Sequence, residues 1–94
     1  AFTYVGERFR ERVTELAGRL GSTLVYDMDV TDDARIDATF AALRERWDGL
    51  DVLVHSVAFA PREALTGGFT AATSREGFRI AHDVSSYSLT ALAR

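Results

Sequence analysis

The sequence has no cysteine and no lysine, asparagine or glutamine, so every side-chain cation other than histidine is an arginine. The missing cysteine excludes disulfides, thiol nucleophiles and zinc–thiolate sites. The missing lysine excludes Schiff-base chemistry and the phosphate-binding lysine of a P-loop. No apolar run approaches the ~20 residues that cross a bilayer. A cytoplasmic protein without a membrane partner is therefore expected.

Size and charge narrow the class of protein further. The chain has 94 residues, of which 47% are hydrophobic and 27% charged, and its formal net charge is −3. This composition is typical of a globular domain, and a chain of this length holds one small domain with a thin core. The slight negative charge argues against a nucleic-acid partner, because nucleic-acid platforms are strongly basic.

Hydrophobic patterning predicts strands that alternate with helices. Strands are predicted at residues 1–4, at residues 23–28 and within residues 50–58, where an unbroken apolar run lies at residues 52–54. The first helix is predicted at residues 7–20, with its end at Gly21. The order of elements is thus β, α, β, α, β and a final α.

Capping residues place the two later helices. Thr31 is the expected N-cap of the second helix, which should end at Asp48 and Gly49. Residues 73–76 have the spacing of a capping box, so the last helix should run from about Ser74 to the end of the chain. Its small residues would let another backbone approach closely, and they are Ala81, Ser85 and Ser88.

Alternating strands and helices predict an α/β fold with a doubly wound parallel sheet. Three strands make only about half of such a sheet, a strand begins at the first residue, and a helix is still running at the last. We therefore expect a βαβαβ-α segment that forms a single incomplete domain over residues 1–94.

Ligands of such a sheet bind beyond the carboxyl ends of the strands. Asp29 follows the second strand and could accept a hydrogen bond from an adenine amino group, whereas the plainer interpretation is that it begins a turn. The small residues at 56–58 would let a flat ring lie against the backbone, whereas the plainer interpretation is that Ser56 simply ends a strand. No glycine-rich phosphate turn is present.

Other kinds of site fail on their residue types. Two histidines from distant segments, His55 and His82, without thiols, do not predict a metal site, and His55 is expected to be a packed or hydrogen-bonded residue. His82, Asp83 and the serines after them lie on one predicted helix without a nucleophile elbow, so they do not predict a catalytic triad.

Taken together, four segments resemble the bacterial enoyl-acyl-carrier-protein reductases of the short-chain dehydrogenase superfamily. These segments are Ala1-Phe2-Thr3-Tyr4, Asp29-Val30, His55-Ser56-Val57-Ala58-Phe59-Ala60-Pro61 and the run from Ser74 to Ser88. The resemblance covers essentially the whole chain. It implies a partial Rossmann fold, NADH as cofactor, a homotetramer, and reduction of trans-2-enoyl thioesters during fatty-acid elongation.

The resemblance also implies site residues. The cofactor-binding residues would be Val5 beside the adenosine ribose, Asp29 and Val30 at the adenine, Ser56, Val57 and Ala58 at the nicotinamide, and Val84 as an apolar contact. Phe59 and Ala60 would edge the substrate pocket. The glycine-rich turn would precede Ala1, and the catalytic tyrosine and lysine would follow Arg94, so no catalytic residue and no metal ligand is expected within the chain, which alone should be inactive.

Two positions depart from the family, and two other functions stay open. Val5 stands where many members have glutamine, so a side-chain hydrogen bond near the ribose is lost, and Arg8 or Arg10 would allow some use of NADPH. Ala58 replaces a commoner glycine. One alternative is a non-catalytic α/β binding module whose half-sheet docks on a partner. The other is a short-chain dehydrogenase with a different substrate.

Overall fold

The computed structural model describes all 94 residues. They form two compact units, Ala1–Leu50 and Asp51–Arg94. The grouping of residues 1–94 into a single domain stays a prediction. No helix in the chain combines the length and the apolar character that crossing a membrane requires.

The first unit contains a two-stranded parallel sheet. Strand β1 (Phe2–Tyr4) pairs with β2 (Val25–Asp27), and Thr3 lies opposite Tyr26. A 3-10 turn at Glu7–Phe9 and helix α1 (Arg10–Arg19) connect the two strands. The predicted β-α-β start with parallel strands is therefore confirmed.

Helix α1 ends where glycine was predicted to stop it. Gly21 has a φ of 72°, in the left-handed region that favours glycine. The N–H of Gly21 donates to the carbonyl of Gly18 at 3.0 Å, and the N–H of Ser22 donates to the carbonyl of Ala17 at 2.9 Å. This pair of bonds is a Schellman motif, which satisfies carbonyls that the end of the helix leaves free.

Helix α2 (Asp33–Arg44) begins and ends differently from the prediction. Its N-cap is Asp32, whose carboxylate accepts from the N–H groups of Ala34 and Arg35, so the prediction of Thr31 as the cap is wrong. Two adjacent residues could both cap this helix, and the Thr31 hydroxyl bonds to Asp29 instead. The helix ends at Arg44, and the core of this unit consists of Ala17, Met28, Ile36 and Thr39.

The predicted third strand is absent. Residues 50–60 contain no strand, and the sheet has only the strands β1 and β2. Val52 and Val54 are 71% and 76% exposed. An apolar run becomes a strand only when its N–H and C=O groups meet those of a neighbouring strand. Residues 50–60 do not pair with β1 or β2, so the apolar pattern alone wrongly predicted a strand there.

The second unit is built around one continuous helical stretch. After a 3-10 turn (Arg62–Leu65) and the short helix α3 (Phe69–Ala72), helix α4 (Arg75–His82) leads into a π-helical turn (Asp83–Tyr87) and helix α5 (Ser88–Ala93). The predicted helix from about Ser74 to the end is thus confirmed. No sequence pattern predicted the π turn.

The cap of this long helix is displaced by one residue from the predicted capping box. The Ser74 hydroxyl accepts from the N–H of Gly77 at 2.9 Å, whereas the box required Thr73 to cap Glu76. The Glu76 carboxylate instead pairs with the Arg79 guanidinium through two hydrogen bonds. Since a serine and a threonine stand side by side here, the spacing rule selected the wrong hydroxyl.

Candidate functional site

Asp29 lies directly beyond the carboxyl end of β2. Its Oδ1 atom accepts two hydrogen bonds from Thr31, one from the N–H at 2.9 Å and one from the hydroxyl at 2.7 Å. The side chain is partly exposed, and Oδ2 has no hydrogen-bond partner. Asp29 therefore does begin a turn, as the plainer interpretation held, and that turn leaves its second carboxylate oxygen unused.

The Thr31 hydroxyl holds the pKa of Asp29 below its usual value of 3.8, with a further contribution from the Thr31 N–H and a smaller one from the charge of Arg35. Both hydrogen bonds favour the charged form of the carboxylate. Asp29 is consequently an anion at neutral pH, and an anion is a good acceptor for an amino group.

Replacing Thr31 by Val is expected to raise the pKa of Asp29 toward its usual value, because the hydroxyl bond, which lowers that pKa the most, is lost. A lowered carboxyl pKa stabilises the folded state at pH values above the pKa of the unfolded chain, which is about 3.9. This stability disappears as the pH falls through the pKa of the folded state. The measurement is an NMR titration of the Asp29 carboxyl carbon. The matched control is Thr14→Val on the exposed face of α1, and an unchanged Asp29 titration in Thr31→Val would contradict the assignment.

A second carboxylate organises the turn after β1. Asp27 Oδ1 accepts from the N–H of Gly6 at 3.1 Å, and its Oδ2 pairs with Arg35 at 3.2 Å. Arg35 also reaches Asp32, the N-cap of α2, at 3.5 Å. This network ties the turn that carries Val5 to the start of α2, and Val5 is 51% exposed there. Sequence reasoning missed it because Gly6 and Asp27 are 21 positions apart.

The two arginines near Val5 have local partners. Arg10 pairs with Glu7 at 3.3 Å, and the Arg8 guanidinium lies 4.5 Å from the centre of the Phe9 ring. Both contacts are exposed, and contacts of this kind contribute little energy. Neither arginine is held at Val5.

In the second unit, His55 is tied to the long helix. Its Nε2 lies 2.7 Å from the hydroxyl of Ser88, which is fully buried. The Ser88 hydroxyl also donates to the carbonyl of Val84 at 2.7 Å. Since a hydroxyl has one proton to donate, both bonds form only if His55 Nε2 carries a proton and donates to Ser88. The prediction that His55 is a hydrogen-bonded residue is confirmed, although it lies outside any strand.

The π turn explains why Ser88 bonds to Val84. In a regular α-helix the N–H of Ser88 would donate to the carbonyl four residues before it, which belongs to Val84. Here that N–H donates to Asp83, five residues before it. The hydroxyl of Ser88 then supplies a bond to the Val84 carbonyl. Such π turns are frequent at functional sites.

A second serine of the same helix holds the backbone of Phe59. The Ser85 hydroxyl accepts from the Phe59 N–H at 3.0 Å and donates to the Phe59 carbonyl at 3.1 Å. The expectation that small residues on this helix let another backbone approach closely is confirmed at Ser85. The pairing itself was not predictable, because Phe59 and Ser85 are 26 positions apart.

The segment between these two attachments contains the predicted nicotinamide residues. Ser56 and Ala58 are exposed and Val57 is partly buried, and residues 56–58 make no hydrogen bonds to the rest of the unit. The structure thus brings this segment, Phe59 and Ala60 beside the π turn that carries Val84. Val5, Asp29 and Val30 lie together in the other unit, where the N–H of Met28 bonds to the Tyr4 carbonyl at 2.8 Å.

The cavity at the end of α2 and the ring contact of His82 involve none of the predicted site residues. A cavity of about 230 Å³ lies at the end of α2, and its lining, which includes Phe40, Leu43 and Trp47, contains none of the predicted site residues. His82 is exposed and its ring stacks on Phe78, with 6.2 Å between the ring centres.

The two parallel strands β1 and β2, joined through helix α1, define an α/β protein. The family model described as Enoyl-(Acyl carrier protein) reductase matches residues 1–94. The chain therefore belongs to the enoyl-acyl-carrier-protein reductase family, as its motifs indicated.

Named relatives match along the whole chain. A reductase from Neisseria meningitidis is 53% identical over 94 residues, and one from Escherichia coli is 49% identical over 94 residues. Both are named enoyl-acyl-carrier-protein reductase (NADH) FabI. The chain spans about 36% of the length of each of these relatives.

Solved structures agree with this assignment. The enoyl-acyl-carrier-protein reductase (NADH) of Aquifex aeolicus superposes with a TM-score of 0.93 at 49% identity, covering 100% of this chain and 40% of that one. FabI from Candidatus Liberibacter asiaticus gives a TM-score of 0.93 at 36% identity, covering 100% of this chain and 36% of that one. The partial α/β fold is thereby confirmed.

Proposed function

We propose that these residues form the adenine- and nicotinamide-binding part of an NADH-dependent enoyl-acyl-carrier-protein reductase, which reduces trans-2-enoyl thioesters in fatty-acid elongation. The observation that carries this proposal is the match of all 94 residues to reductases whose names state NADH. The open oxygen of Asp29 and the exposed segment at residues 56–58 are the contacts that such a cofactor needs.

We assign the proposed cofactor contacts within each unit. In the first unit, Asp29 would accept a hydrogen bond from the adenine amino group, with Val30 next to the ring and Val5 beside the ribose. In the second unit, Ser56, Val57 and Ala58 would lie against the nicotinamide and Val84 would add an apolar contact. NADH supplies the hydride that reduces the substrate double bond.

The chain would position the reactants and leave the proton chemistry to other residues. Phe59 is 55% exposed and Ala60 is partly buried, so both could edge a pocket for the acyl thioester. Residues 1–94 contain no lysine, so they hold no tyrosine–lysine pair. We therefore assign no catalytic residue within them. The acyl-carrier-protein substrate, the homotetramer and the cytoplasmic location are part of the same proposal and stay predictions.

The two alternative functions have no observation in their favour. A non-catalytic binding module would not require an open acceptor at Asp29, and a dehydrogenase with another substrate is not what the matching family describes. We retain them only as outcomes of the test.

The test is a chimera in which residues 1–94 replace the matching segment of the Neisseria meningitidis reductase. We expect the chimera to oxidise NADH in the presence of a short trans-2-enoyl thioester. The loss of NADH absorbance measures this reaction. The natural Neisseria enzyme is the positive control, and the 94-residue chain alone should show no turnover. A folded chimera that binds no NADH would contradict the proposal, and turnover by the isolated chain would contradict the assignment of no catalytic residue.

A further inference from the structure

The contact between Ser85 and Phe59 consists of two hydrogen bonds. One hydroxyl oxygen accepts from the N–H of Phe59 at 3.0 Å and donates to the carbonyl of the same residue at 3.1 Å. A hydroxyl is the smallest side-chain group that can donate and accept at one atom. The contact therefore fixes both backbone polar groups of Phe59 and so sets its orientation as well as its distance from the helix.

A second attachment holds the other end of the same segment. Four residues before Phe59, His55 bonds to the fully buried Ser88 at 2.7 Å. Ser85 and Ser88 belong to one continuous helical stretch, so both ends of the segment from His55 to Phe59 are fixed to a single rigid element. Only residues 56–58 lie between the attachments, and they make no hydrogen bonds of their own to the unit.

We infer that Ser85 is a positioning residue, which sets where residues 56–58 and Phe59 meet the nicotinamide and the acyl thioester. This inference rests on the proposed function. A segment without internal hydrogen bonds takes its place from its ends, and a displacement of about 1 Å at a reacting centre can lower a rate about a hundredfold. Loss of the Ser85 hydroxyl frees one end of the segment, while the His55–Ser88 attachment keeps it near the helix.

The experiment compares three variants of the chimera described above. Ser85→Ala removes both bonds, Ser85→Thr keeps the hydroxyl, and Ser86→Ala makes the same chemical change at the exposed neighbouring position. We expect Ser85→Ala to lower kcat about tenfold and leave the KM for NADH within about twofold, because the adenine contacts are in the other unit. Ser85→Thr should restore most of kcat, and Ser86→Ala should match the parent.

Two further readouts separate positioning from a general loss of structure. With NADH deuterated at the transferred hydrogen, Ser85→Ala should show a larger isotope effect on kcat than the parent, since hydride transfer becomes rate-limiting. Hydrogen exchange of the Phe59 amide should accelerate about fivefold or more, because its acceptor is gone. A variant that only unfolds would contain fewer active molecules, and the molecules that stay folded would show the isotope effect of the parent.

The outcomes distinguish this inference from the proposed function. If the parent chimera is active and Ser85→Ala has the same kcat and isotope effect, the positioning role is overturned. If the parent chimera binds no NADH, the proposed function fails, and the hydrogen exchange of Phe59 then decides whether Ser85 fixes this backbone. Unchanged exchange in Ser85→Ala would overturn the inference on its own.

Discussion

Replacing Asp29 by Asn is expected to invert the preference of the site between NADH and the analogue whose adenine amino group is replaced by a carbonyl oxygen. In the structure both Thr31 bonds fall on Oδ1, which leaves Oδ2 as the oxygen for a ligand. Asparagine keeps one oxygen for the Thr31 turn and places an amide N–H group where Oδ2 was. In the proposed site, that N–H group would face the adenine amino group of NADH as donor to donor.

The expected effect is large because a charged acceptor is replaced by a donor. A hydrogen bond to a charged group contributes about 1.5–3 kcal/mol, which corresponds to roughly a 10- to 150-fold change in Kd. Asp29→Asn should therefore bind NADH at least about tenfold more weakly than the parent and regain affinity for the carbonyl analogue. The measurement is a titration of both dinucleotides into the chimera by calorimetry.

The control for this experiment is Asp37→Asn, which changes the same group at an exposed position on α2. It should leave the affinities for both dinucleotides unchanged. If Asp29→Asn and the parent bound NADH equally well, Asp29 would be only a turn residue, and the adenine contact would have to be sought elsewhere.

Replacing Ser88 by Ala is expected to lower the free energy of unfolding by about 1–3 kcal/mol, the cost of leaving buried polar groups without partners. The Ser88 side chain is fully buried and joins His55 to the Val84 carbonyl, so both partners lose a bond. The exposed Ser86→Ala should change the free energy by less than about 0.5 kcal/mol. Urea unfolding of the chimera variants measures both.

A double variant tests whether the cost arises from the His55–Ser88 pair. His55→Leu combined with Ser88→Ala removes both polar partners, and apolar replacement of a whole pair is often nearly neutral. The double variant should therefore lose less stability than the sum of the two single variants. Strict additivity would show that the 2.7 Å contact carries no coupling energy.

Local rules predicted much of this fold correctly. Gly21 was expected to end α1 and does so through its positive φ, and the long helix begins at Arg75, within one residue of the predicted start. The errors in helix capping occurred where two adjacent residues could perform one task. Asp32 rather than Thr31 caps α2, because Thr31 serves the Asp29 turn instead.

Contacts between distant residues could not be predicted in the same way. The pairs Gly6–Asp27, His55–Ser88 and Phe59–Ser85 are separated by 21, 33 and 26 positions, and no periodicity connects them. The small-residue face of the last helix did predict that a backbone approaches it. It did not predict which backbone, nor the π turn that changes the hydrogen bonding at Ser88.

The unpaired stretch at Val52, Leu53 and Val54 has a consequence for a preparation of residues 1–94 alone. Its β-branched and apolar residues are exposed, and their backbone groups have no ladder partners, so the stretch can pair with its counterpart in another copy. Asp48 and Asp51 precede it and oppose such aggregation by charge repulsion. This repulsion weakens as salt is added, so the solubility of the chain should depend on ionic strength and on its own concentration.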